Sequence, residues 1–230
     1  MYAEIKQGQW YSGVNLSEVL RYAGVRDEQL CGDDVRHSAI QAINEVGENA
    51  APKKISKECL LQIDGAMCDI DGMRVQSEAL AAHLAGCERA LLFAATLGSG
   101  VDLLIMRYSQ VKMSYAVMLQ AASAALIEWY CDRAGEEFET KYADEGCYLR
   151  PRFSPGYGDF SIEHQSELTA HLNAYKYAGI TVSGGGQMTP MKSVTAVIGI
   201  THRRQRGTTG NCASGKCANC PNTGCEFRRI

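Results

Sequence analysis

Two Asp-Gly pairs, Asp64-Gly65 and Asp71-Gly72, cut residues 59–75 into three short apolar runs: Cys59 to Ile63, Ala66 to Ile70 and Met73 to Val75. Asp-Gly favours the positive backbone torsions of tight hairpin turns, so consecutive runs must fold back on one another. A small antiparallel meander follows, and it sets the class of sheet this chain can build. Arg89 to Leu97 (RALLFAATL) is a nearly continuous apolar run bounded by Gly98 and reads as a buried strand. Ser193 to Ile200 has high β propensity, and Ile180 to Val182 forms a short strand. Residues 51–58 (APKKISKE) are polar and read as a connection.

Helices fill the remaining chain. Asn15 with Glu18 three residues later makes a capping-box pattern, followed by the stripe Leu16, Val19, Leu20 and Ala23, with Gly24 as the stop. A second helix runs from about Asp34 to Val46 and is ended by Gly47. Ser77 caps a helix through Leu84, and another spans about Val101 to Tyr108. The longest runs from about Ser114 to Gly135, with Met118, Ala122, Ala125 and Trp129 on one face and a small-residue patch at residues 121–125. Ser166 to Tyr177 reads as a further helix stopped by Gly179. The class is α+β: a mainly antiparallel sheet with helices packed against one side. Residues 1–87 hold the N-terminal helices and meander, 88–202 the core with which they form one globule, and 203–230 a compositionally distinct tail.

The net charge of −3 carries no polyanion signal, which sets nucleic acid aside as a partner. The N-terminus lacks a basic region followed by an apolar run, and no stretch of about 18 apolar residues occurs, so neither export nor a membrane span is expected. Ten cysteines without an export signal fit a reducing cytoplasm. Six are scattered. The other four form Cys212-x4-Cys217-x2-Cys220-x4-Cys225, interleaved with Gly215, Pro221 and Gly224. Four thiolates in so short a segment can wrap one metal centre, and zinc and an iron–sulfur cluster accept the same set.

Arg152-Phe153-Ser154-Pro155-Gly156-Tyr157 is a defined bend, since proline fixes one torsion and glycine frees the next. Arg152 can grip a carboxylate through two parallel hydrogen bonds, and Tyr157 offers an aromatic face and a hydroxyl. A small zwitterion with a flat ring suits that set; a surface turn with a solvated arginine suits it too. Glu128 lies within Leu126-Ile127-Glu128-Trp129-Tyr130, where a carboxylate either points out between two apolar faces or is held inward by a partner.

Arg152-x-x-Pro155-Gly156-Tyr157 resembles the Arg-x-x-x-Gly-Tyr motif of the activation (reactivation) domain of cobalamin-dependent methionine synthase. Downstream, Gly179-Ile180-Thr181-Val182 looks like the family's short strand, and Gln187 to Val194 like its Met-x-Pro-x-x-Ser-Val segment. The resemblance covers roughly residues 88–202. It implies binding of S-adenosylmethionine without a Rossmann sheet, and this chain has no G-x-G-x-x-G after a strand. It further implies that Arg152 holds the ligand carboxylate, Ser154 and Gly156 offer backbone groups, Tyr157 lies near the sulfonium, and Glu128 meets the amino group. No general acid or base is assigned.

By the same resemblance the activity is reductive methylation of cob(II)alamin. The chain has no Asp-x-His-x-x-Gly corrinoid motif, so the expected partners are a cobalamin-dependent methionine synthase lacking its own activation domain and an electron donor protein. The protein would thus be an accessory acting in trans. The family's acidic residue near the domain start has no clear match, and neither does the tyrosine following its last strand. Two other readings stay open: a metal-binding redox or adaptor protein of corrinoid metabolism, and a reactivator of another corrinoid methyltransferase. The tail makes its own prediction. Protein purified without oxygen is expected to carry metal, brown if the cysteines hold an iron–sulfur cluster and colourless if they hold zinc. Metal analysis finding neither iron nor zinc would remove the thiolate site.

Overall fold

The computed structural model describes residues 4–25 and 31–203; the four tail cysteines lie outside the described residues. In chain order the elements are helices α1 (Leu16–Tyr22) and α2 (Asp33–Asn49), strands β1 (Lys53–Asp64), β2 (Met67–Ile70) and β3 (Met73–Gln76), and helix α3 (Glu78–His83). Strand β4 (Arg89–Thr96), helices α4 (Ser99–Val111) and α5 (Met113–Asp144), and strand β5 (Tyr148–Leu149) follow. Helices α6 (His164–His171) and α7 (Ala174–Ala178), then strands β6 (Thr181–Val182), β7 (Met188–Thr189) and β8 (Ser193–Thr201), complete the series. One sheet runs β3-β2-β1-β4-β8-β5 with every pairing antiparallel, and β6 pairs with β7 alone.

The apolar run becomes β4, near the middle of this sheet, and its alternation explains the architecture. Leu91, Phe93 and Ala95 enter one core with residues of α1, α2, α4 and α5. Ala90, Leu92 and Ala94 enter a second core with residues of α3, α6 and α7. A strand apolar at every position must be covered on both faces. Helices therefore lie on both sides of the sheet, not on one as its sequence pattern first suggests.

The meander forms as its turns require. Asp64 pairs with Met67 and Ile70 with Met73, while Gly65, Asp71 and Gly72 take positive φ of 58°, 51° and 90°. Its first strand is longer than expected. Residues 51–58 are not a connection: β1 starts at Lys53 and pairs with β4 from Lys53↔Thr96 to Leu60↔Arg89. Its polar residues find partners that composition cannot reveal. Lys54 pairs with Glu137 on α5, and Arg89 on β4 donates to Glu58 at 2.5 Å. The Tyr142 hydroxyl donates to the other Glu58 oxygen at 2.7 Å.

Three helix boundaries also differ. Gly47 does not end α2, which continues to Asn49; it lies buried where the Tyr11 ring presses on the helix. A Cβ there would sit 2.2 Å from that ring, and the Trp10 indole N–H donates to the Gly47 carbonyl at 3.2 Å. Gly135 does not end α5 either, because that 32-residue helix is held along its length by α1, α2, α4 and the sheet. The segment 166–177 divides at Asn173, whose φ of +50° separates α6 from α7; Gly179, at +72°, is the stop it was expected to be.

Gly47 offers a test with opposed contributions. On propensity alone, alanine in a helix interior gains about 1 kcal/mol over glycine. Overpacking against Tyr11 costs roughly 1–3 kcal/mol or more at so short a distance. Gly47→Ala is therefore expected to lower the midpoint of urea unfolding. A raised midpoint would mean that the Tyr11 segment does not hold this position.

Candidate functional site

The motif segment begins as an extension of the sheet edge. Beyond β5, the Arg150 N–H donates to Gly199 at 2.7 Å, and Phe153 exchanges two bonds with Val197 at 3.0 and 2.8 Å. In extended chain, neighbouring side chains leave on opposite faces. Phe153 packs with the α3 and α6 core, its ring 4.9 Å from His83 and stacked with Phe160 at 6.3 Å. Arg152 turns the other way, onto α5.

The bend is closed by its own backbone. Tyr157 N–H donates to Ser154 C=O at 3.1 Å, Gly156 N–H to Phe160 C=O at 2.7 Å, and Phe160 N–H to Tyr157 C=O at 3.0 Å. Gly156 holds φ +94°. Gly158 holds φ +55° and passes so near α3 that a Cβ would lie 2.8 Å from that of Ala79. Asp159 then anchors the loop to the start of α3. Its carboxylate accepts the Ser77 hydroxyl and the N–H groups of Glu78, at 2.7 Å, and Ala79, at 3.1 Å. Ser77 itself caps Leu80 N–H at 3.0 Å. A helix N-terminus is short of acceptors, and the loop supplies one.

On the other face, Arg152 Nη2 donates to Glu128 at 3.0 Å and to Asp132 at 2.9 Å. The arginine side chain is 24 % exposed, the two carboxylates 48 % and 51 %. Glu128 thus has a charged partner but stays about half exposed and is not held inward. Asp132 escaped the motif reading; its signal was the i, i+4 spacing from Glu128, which stacks both carboxylates on one helix face. Arg152 Nη1 is buried without a hydrogen-bond partner. Burial works against the guanidinium charge, and the Glu128 and Asp132 carboxylates beside it favour that charge. Burial raises the Asp132 carboxyl, with Arg152 opposing and Glu128 reinforcing the shift. Buried Cys131 is pushed up to about 12 by desolvation and stays a neutral thiol. Tyr22, at the end of α1, is raised first by burial and then by the Glu128 carboxylate, which puts α1 beside the same cluster.

Of the motif residues, Arg152 and Glu128 meet directly. Tyr157 is 56 % exposed and its ring lies 6.2 Å from Phe153. The Ser154 carbonyl and Gly156 N–H are bonded inside the turn. Two surface concavities, of about 330 and 550 Å³, lie elsewhere: one is lined by Lys6, Glu45, Glu48 and Lys112 among others, the second by Ile63, Glu78 and Ala85, and Arg152 lines neither. Among the described residues no group of three or more His, Cys, Asp or Glu could hold a metal ion. No described helix is long and apolar enough to cross a membrane.

The antiparallel six-stranded sheet with a long helix over one face is an α+β fold, and it is of the methionine synthase activation-domain type. A solved structure shares it: the crystal structure of the MetH reactivation domain bound to AdoHcy aligns with a TM-score of 0.58 over 89 % of this chain and 82 % of that one, at 13 % identity. No family model and no curated protein matches the sequence.

The anchoring of the loop predicts an acid sensitivity. Donation from Ser77 and from the α3 backbone holds the Asp159 carboxyl below its ordinary value. A depressed carboxyl contributes stability above the unfolded pKa of about 4 and loses it as pH falls through the lower folded value. Melting temperatures between about pH 5 and 2 should fall less steeply for Asp159→Asn than for the native protein. Parallel curves would show that this carboxylate is not the anchor.

Proposed function

We propose that the protein binds S-adenosylmethionine at the Arg152 bend and supports reductive methylation of cob(II)alamin in a partner methionine synthase that lacks its own activation domain. The fold supports the reading, as does the AdoHcy bound in the similar structure. The observation that carries it is the charge pattern. Arg152 Nη1 is buried and unpartnered, while Glu128 and Asp132 stand half-exposed beside it. An amino-acid zwitterion needs a donor for its carboxylate and an acceptor for its ammonium; Arg152 is the candidate donor once it exchanges its bonds to α5, and Glu128 the candidate acceptor.

In this reading Arg152 exchanges part of its bonding to α5 for the ligand carboxylate, and Glu128 receives the ammonium. Tyr157 presents its exposed ring toward the sulfonium, where a π face favours a cation. Bound there, S-adenosylmethionine supplies an electrophilic methyl group to the reduced corrinoid of the partner, with the electron coming from a separate donor protein. The chain contributes positioning and needs no acid or base of its own. Asp159 contributes indirectly by fixing the bend. The tail cysteines, Cys212, Cys217, Cys220 and Cys225, are proposed to hold zinc or an iron–sulfur cluster; an iron–sulfur cluster could relay the electron, whereas zinc would serve structure or docking.

Two measurements test the proposal. Calorimetry should detect S-adenosylmethionine binding to the native protein and at least a tenfold weaker response with Arg152→Ala, since a lost charged hydrogen bond costs about 1.5–3 kcal/mol. Equal heats, or none from either, would instead favour the metal-binding adaptor. Mixed with S-adenosylmethionine, a reductant and a partner held as cob(II)alamin, the protein should speed the appearance of methylcobalamin. No acceleration with methionine synthase but acceleration with another corrinoid protein would reassign the partner.

A further inference from the structure

Three segments of chain meet at one corner of the sheet. Strand β4 starts at Arg89, opposite Ile200 of β8, and β5 pairs Tyr148 with Thr201. One step further along that antiparallel register brings Cys147, just before β5, beside His202, just after β8. The Cys147 sulfur lies 3.5 Å from His202 Nδ1 and accepts a hydrogen bond from Arg89 Nη2 at 3.3 Å. Its own S–H has two acceptors in reach: the imidazole, when Nδ1 carries no proton, and the more distant Glu145 carbonyl at 3.8 Å. Arg89 is held in place by Glu58 at 2.5 Å and Glu145 at 3.5 Å.

Four other cysteines are buried to a similar depth. Cys59, Cys68, Cys87 and Cys131 are each 8 % exposed or less, against 3 % for Cys147. Burial raises all four of those thiols. The thiolate is the nucleophilic form of cysteine, and a neighbouring cation and base both favour it. Cys147 has an arginine and an imidazole at its sulfur, and His202 is itself exposed. On that side the sulfur is covered by a solvated side chain.

We propose that Cys147 is a nucleophilic thiol, with His202 as its base and Arg89 as its stabilising cation, that takes up a thiol-derived group from a low-molecular-weight disulfide. The S–H proton passes to His202. The Cys147 sulfur attacks one sulfur of the disulfide, and the new S–S bond forms as the small molecule's own S–S bond breaks. The leaving thiolate takes the proton back from His202. Cys147 is oxidised and the departing half is reduced to a thiol, so the exchange needs no other oxidant, and excess small thiol reverses it. The inference is independent of what the Arg152 bend binds.

Oxidised glutathione is the probe. The folded, reduced protein is incubated with it near neutral pH, and peptide mass spectrometry reads each cysteine separately. Glutathione should appear on Cys147 at least about tenfold faster than on Cys59, Cys68, Cys87 or Cys131. Dithiothreitol should remove it. His202→Gln, at an exposed position, should slow the reaction of Cys147 about tenfold and leave the melting temperature unchanged. Iodoacetamide, which needs no disulfide, should rank the five buried cysteines in the same way. Equal rates at all five, or a Cys147 rate indifferent to His202→Gln, overturns the nucleophilic thiol. Alkylation of Cys147 without any glutathione adduct overturns the disulfide chemistry.

Discussion

Everything in this structure depends on keeping β4 dry on both faces. Seven of its eight residues are buried, and alternate ones feed two separate cores. A strand of this kind cannot lie at an edge or face solvent. It needs ladder partners on both sides, which β1 and β8 provide, and a helical layer above and below. The long helix α5 supplies much of one layer, and α3, α6 and α7 supply the other. Each buried side chain the size of leucine or phenylalanine contributes on the order of 2–3 kcal/mol by leaving water, so this strand and its covers dominate the stability of the fold.

The candidate site is a by-product of that arrangement placed at its edge. The chain leaves α5, forms β5 against β8, and passes the middle of α5 again as extended backbone. Extended geometry sends Phe153 into one core and Arg152 to the opposite face, against Glu128 and Asp132. Gly158 and Asp159 then tie the loop to α3. The bend is thus fixed at both ends by elements from the two layers. Its charged face is held by an ion-pair network that a ligand of complementary charge can enter by exchange.

How much was legible before the coordinates depends on range. The Asp-Gly turns, the Asn15 and Ser77 caps, the buried β4 run and the Gly179 stop are local signals, and they hold. Where a residue answers to something distant, local signals misread it. Gly47 looks like a helix stop and is a contact point for Tyr11. Residues 51–58 look like a connection because their lysines and glutamates find partners on β4 and α5. Gly135 looks like an end, but packing carries α5 through it to Asp144.

By itself the sequence determined the antiparallel character of the sheet, the bend at residues 152–157 and the identity of the arginine it displays, because turn chemistry and side-chain chemistry are properties of neighbouring residues. Only the tertiary structure decided what that arginine meets. Arg152 is 24 positions from Glu128 and 20 from Asp132, beyond the end of a helix, a turn and a strand. Their convergence follows from the register of β5 on β8 and from the seat of α5 on the sheet. A charge network of this kind is set by the packing of layers, and no short stretch of chain encodes it.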